Sequence, residues 1–118
     1  AQLRMVYTAA TEDQAWEQCQ DHIWHLLTFY QDILAEAKDA EGDDTPLPAK
    51  NAAELRDSPI AETMLIGTPD QVAEKLQKFC DDYQCTDFIM DMQVPGIDPA
   101  LATKSMELFA QEVMPGFR

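Results

Sequence analysis

Basic residues are scarce in this chain: 8 Lys and Arg stand against 22 Asp and Glu in 118 residues, a formal net charge of -14. That balance excludes a nucleic-acid or anionic-membrane partner, because no basic patch exists to displace counterions. Long apolar runs are missing too, and none approaches the roughly 20 residues of a membrane-spanning helix. Cysteine is limited to Cys19, Cys80 and Cys85, an odd number without a C-x-x-C, which argues against a disulfide framework or a zinc knuckle. The start, Ala1-Gln2-Leu3-Arg4, has no signal-peptide core. A reduced, cytoplasmic setting is the expectation. No G-x-S-x-G, Walker loop or G-x-G-x-x-G is present, and no carboxylate pair stands out as an acid–base dyad, so the catalytic residues stay unknown. His22 and His25 lie three apart beside Asp21, but no further ligand is near in sequence, so a packed or solvated face is expected and no metal.

What is present is enough apolar material for a core. Hydrophobic residues make up 46% of the chain, and the length suits one domain. Three units follow one another, each a short strand leading into a helix. In the first, residues 1–38, Met5-Val6-Tyr7-Thr8 is β-prone and Thr11-Glu12-Asp13-Gln14 reads as a capping box. Ala15, Cys19, Ile23, Leu26, Tyr30, Ile33 and Ala37 then form an apolar helical stripe, flanked by Trp16 and Trp24. Residues 39–62 are a connection: Pro46 and Pro48 forbid a helix, Asn51 can cap one short turn, and Ser58-Pro59 starts another.

The second unit, residues 63–84, opens on the strand candidate Thr63–Ile66. Gly67 turns the chain, Thr68 caps, Pro69 sits first in the helix and Gln71 closes a capping box. Val72, Leu76, Phe79, Cys80 and Tyr83 form its apolar face. The third unit, residues 85–118, has a strand at Phe88–Met90 and a helix capped by Asp98 with Pro99 first, burying Ala102, Met106, Phe109 and Val113. The first two units repeat at an offset of 57: Thr11-Glu-Asp-Gln matches Thr68-Pro-Asp-Gln, and Ala15, Cys19, Ile23 match Val72, Leu76, Cys80. Strands alternating with helices predict an α/β fold with a parallel sheet. A helical bundle is the rival if the short β-prone runs are not strands.

Three stretches, IGTPDQVAEKL from Ile66, DFIMDMQVPG from Asp87 and SMELFAQEVMP from Ser105, resemble the C-terminal end of the bacterial luciferase-like monooxygenase family. VYTAATEDQAWEQ resembles a unit just upstream in that family. The resemblance implies a partial (β/α)8 TIM barrel, its last three strands and helices. A complete barrel takes about 250 residues, so this chain is expected to be the C-terminal fragment of such an enzyme. The implied parent uses reduced flavin, FMN, and O2 to oxygenate a small organic substrate, with a flavin reductase as a possible partner. The fragment alone is expected to be inactive and without cofactor. Open strand edges predict a homo-oligomer. Two departures stand out: many relatives have Gly where Gln84 stands, and a Pro-His-Glu run where Asp98-Pro99-Ala100 stands. The rival readings are a fragment of a deazaflavin-dependent oxidoreductase on the same barrel, and a non-catalytic, acidic, self-associating β/α module.

Ligand sites in β/α barrels lie at the C-terminal ends of the strands. Gly67 and Thr68, opening a helix, are the candidates for a flavin phosphate. Gln93 can donate and accept at the edge of the flavin ring. Thr8 and Met92 are the substrate-side candidates.

Overall fold

The computed structural model describes residues 2–36 and 49–117. Three parallel strands alternate with three helices: β1 (Gln2–Thr8), α1 (Glu12–Glu36), β2 (Leu65–Gly67), α2 (Pro69–Tyr83), β3 (Phe88–Asp91) and α3 (Pro99–Glu112). The α/β expectation holds and the helical bundle does not. Two 3-10 stretches, Ala52–Asp57 and Pro59–Thr63, lie in the connection from α1 to β2, and a third, Met114–Phe117, follows α3.

Each predicted cap is in place. Thr11 Oγ1 accepts the Gln14 amide at 3.1 Å, and Asp98 Oδ1 accepts that of Ala100 at 2.9 Å. Thr68 and Gln71 close their reciprocal box. Asn51 caps the first 3-10 stretch, accepting the Glu54 amide at 3.1 Å. Arg56, on that stretch, pairs with Asp13 at 2.7 Å and Glu12 at 3.4 Å, tying the connection to the start of α1. The start of β2 differs from expectation: Pro59–Thr63 is helical and the strand begins only at Leu65. Residues 37–48, including Ala37 and the two prolines, lie outside the described residues.

The strand order is β2-β1-β3. Val6, Tyr7 and Thr8 pair with Leu65, Ile66 and Gly67, while Gln2 to Met5 pair with Phe88 to Asp91. Neighbouring barrel staves would run in chain order, with β2 central and every helix on one face. Here β1 is central and both faces are covered. Tyr7 and Ile66 pack on Ala15, Trp16, Cys19 and Ile23 of α1. Val6 and Leu65 point the other way, onto Val72 and Leu76 of α2 and Phe109 and Val113 of α3. Alternation along the strand sends neighbouring residues to opposite faces, so the two cores follow from the pleat. The physical reason for the departure is burial. Three strands in barrel order carry every helix on one face and leave the other bare, whereas the observed order places α1 on one face and α2 and α3 on the other.

The helix α3 bridges the two layers. Its Ala102 joins the α1 side, its Phe109 and Val113 the α2 side, and Ser105 between them meets Thr8. The spacing 102, 105, 109, 113 is the buried stripe, so Met106, expected inside, is exposed. On α1 the stripe is buried only through Ile23; Tyr30 and Ile33 are exposed. Trp16, expected at a flank, is instead in the core.

Candidate functional site

The C-terminal ends of the strands gather on one side of the sheet. Strand β3 pairs only with Gln2 to Met5, and at Thr8 the edge of β1 is taken by Ser105 of α3, so a crevice opens between α1 and α3 at the C-terminal end of β1. A cleft of about 270 Å³ lies there, lined by Thr8, Ala9 and Ala10 after β1, Gln14 and Gln18 of α1, and Leu101, Lys104, Ser105 and Leu108 of α3. The Thr11 cap starts α1 shortly after β1 and so presents Gln14 and Gln18, one turn apart, to the cleft.

The floor of the cleft is rigid. The Thr8 amide donates to Ser105 Oγ at 2.9 Å, and the Thr8 hydroxyl donates to the Ser105 carbonyl at 2.6 Å; both residues are buried. On the opposite edge of the strand the Ala9 amide donates to the Gly67 carbonyl at 3.1 Å. The successive amides of Thr8 and Ala9 therefore go to α3 and β2 in turn. The Tyr7 hydroxyl donates to Gln18 Oε1 at 2.6 Å and so orients that amide. Burial, with the neighbouring Cys19 and Asp98 adding to it, pushes the Tyr7 phenol up to about 12. Burial likewise pushes the Cys19 thiol up to about 12, so it is an inert core group.

The cleft offers amides, one ammonium group and two leucines, but no carboxylate, imidazole or thiol among its lining residues. It can hold and orient a small molecule with a polar or anionic end. Beyond Lys104, acid–base or nucleophilic chemistry would have to come from elsewhere.

Of the candidates named from sequence, only Thr8 lines this cleft. Its hydroxyl is engaged by Ser105, so it shapes the floor rather than reaching a ligand. Gly67 and Thr68 sit at the start of α2, at the end of β2. The residues there do not fit a flavin phosphate. Pro69 has no N–H, the Thr68 amide donates to Gln71 Oε1 at 3.0 Å, and the Gln71 amide donates to Thr68 Oγ1 at 3.3 Å. The Val72 amide goes to the Thr68 carbonyl at 2.9 Å. Gln71 Nε2 also donates to Glu12 Oε2 at 2.9 Å, bringing a carboxylate where an anion would sit. Gly67 has its own structural reason: φ is +154°, and a Cβ there would collide with Gln71 Oε1. Met92 lines a separate void of about 10 Å³ with Tyr7 and Cys19, room for no more than a water. Gln93 is exposed. His22 packs near the Gly96 turn and His25 is exposed.

Sequence reasoning missed Gln14, Gln18, Lys104 and Ser105. A signal existed for Ser105, a small polar residue at an interior position of the stripe 102, 105, 109, 113. The others depend on where α3 crosses the sheet, which no local pattern encodes.

Among the described residues no helix is long and apolar enough to cross a membrane. No curated protein matches the chain. Residues 1–82 match the family described as luciferase-like monooxygenase. That span holds β1, α1, β2 and nearly all of α2, which are the elements of the repeat, and the family-like ending follows it. The chain belongs to the luciferase-like monooxygenase family.

Proposed function

We propose that this chain is the C-terminal part of a flavin-dependent monooxygenase that oxygenates a small organic substrate with reduced flavin and O2. The observation that carries this reading is the cleft at the end of β1, which can hold a ligand but offers no acid, base or nucleophile beyond Lys104. A site of that kind suits chemistry supplied by a cofactor. In this reading the chain supplies a substrate wall through Gln14, Gln18 and Lys104, and the flavin phosphate is held by residues outside the chain. A full (β/α)8 barrel needs about 250 residues, so the remaining strands come from outside these 118 residues. Within that barrel β2 would stand between β1 and β3, and β3 would leave the edge of β1 to a preceding stave.

A second reading, an acidic self-associating module without catalysis, is favoured by one observation: β1 already has partners on both edges. Native mass spectrometry of the chain with FMN, followed by an oxygenation assay with reduced FMN, tests the first reading. The expected result is a flavin-free, inactive chain that gains stoichiometric FMN and activity when the missing β/α units are supplied as a second polypeptide. Stoichiometric FMN on the chain alone would overturn the division of roles. A failure to gain flavin or activity on complementation would leave the module reading standing.

A further inference from the structure

The helix α2 ends in a conformation that brings two cysteines together. Gln84 takes φ 49° and ψ 36°, the left-handed cap. Such a cap folds the chain back so that the residue after it lies over the residue five positions earlier, and the two side chains touch. Those residues are Cys85 and Cys80. The left-handed cap therefore sets the two side chains beside each other at the end of α2, and Cys85 Sγ lies 3.9 Å from the Phe79 carbonyl. Both are half-buried and both are free thiols. Cys19, the third, is fully buried on the opposite face of the sheet.

We propose that Cys80 and Cys85 form a reversible intramolecular disulfide that staples the end of α2 to the segment leading into β3. The oxidant is a small-molecule disulfide of the glutathione class. The thiolate of one cysteine attacks a sulfur of the oxidant, forms a mixed disulfide and expels one thiolate. The second cysteine, as thiolate, attacks the protein sulfur of that mixed disulfide and expels the other. Two protein thiols are oxidised to one disulfide and the oxidant is reduced to two thiols, which take up the two protons released. Burial, then Cys85 and Asp81, hold the Cys80 thiol above its usual range, so the step accelerates as pH rises. The staple has a place to act. Cys80, Thr86, Phe88 and Met90 line an apolar groove of about 520 Å³ between α2, β3 and α3. Fixing Cys85 to Cys80 fixes the Thr86 wall of that groove.

The test is oxidation of the folded full chain with oxidised glutathione, quenching with iodoacetamide, and peptide mass analysis. Trypsin leaves both cysteines on the peptide 79–104, and cleavage before Asp81 or Asp82 separates them. The expected result is that peptide short of two hydrogens and with neither cysteine alkylated, its two halves remaining joined after cleavage at aspartate. Dithiothreitol should restore both alkylation sites. The variants Cys80→Ser and Cys85→Ser, checked for unchanged circular dichroism, should each retain a stable glutathione adduct on the remaining cysteine. Two glutathiones on one unvaried chain, a cross-linked dimer through either cysteine, or no loss of alkylation sites would overturn the proposal.

Discussion

Ser105 meets the central strand with two atoms. Its hydroxyl takes the buried Thr8 amide, and its carbonyl takes the Thr8 hydroxyl. Removing the hydroxyl leaves a buried amide without a partner, a cost of about 1–3 kcal/mol. Ser105→Ala should therefore lower the unfolding free energy by that amount, read from urea melts, while substitution at exposed Met106, one residue away, should leave it nearly unchanged. Gln84 offers the opposite case. Many relatives have Gly at this position, and Gln84 takes the left-handed cap with a side chain. Gln84→Gly should raise stability by about 1 kcal/mol, read as a higher thermal midpoint. Titration belongs to the same scale. Cys19 rises from an ordinary 9.0 and Tyr7 from 10.0, each to about 12, because burial disfavours the charged forms. The folded chain thus holds protons that the unfolded chain releases. The stability from both groups is complete below pH 9 and is lost as pH rises toward 12, each tenfold difference in proton affinity between the two states being worth about 1.4 kcal/mol. Urea midpoints across that window should fall steeply, and Cys19→Ala should flatten the fall.

At the scale of elements, local chemistry was legible and assembly was not. The caps at Thr11, Thr68 and Asp98 were readable because each depends on residues within one turn. The repeat was readable for the same reason, and its matched positions Ala15, Cys19, Val72 and Leu76 are all buried. The two copies nevertheless pack on opposite faces of the sheet, which the pattern does not encode. Strand order was missed because it depends on which edge gains most burial, a property of all three units together. Site residues failed likewise: Thr8 reached the cleft because it ends β1, whereas Lys104 depends on the path of α3. The observed order makes a specific demand on spectra. Cross-strand amide contacts should join Leu3 with Ile89 and Val6 with Leu65. Contacts between β2 and β3 in their place would indicate the order of barrel staves.

At the scale of the molecule, the sheet is covered unevenly. Helix α1 packs along β2 and leaves the pair Leu3 and Ile89, matched in register, 61% and 59% exposed on the same face. Leu27, Ile60 and Met64 continue this apolar surface as a shallow groove beside Leu3. Among the described residues the outer edge of β3 pairs with no strand. An open edge beside an apolar face favours addition of another strand, and a second copy supplies one of matching length. Charge opposes it, since each copy carries -14 and Asp87 and Asp91 bracket the edge. At 0.01 M salt the repulsion reaches about 30 Å, but at 0.15 M only about 8 Å, too short to keep the bodies of two copies apart. Association should therefore strengthen as salt is added, the reverse of an ion-paired interface. Light scattering behind a sizing column should show the mass rising from monomer toward dimer with added salt. Leu3→Glu together with Ile89→Glu should hold the chain monomeric at every salt concentration, with little change in its urea midpoint because both side chains are already exposed. A monomer at high salt in the unaltered chain would show that the bare face and the open edge are tolerated alone.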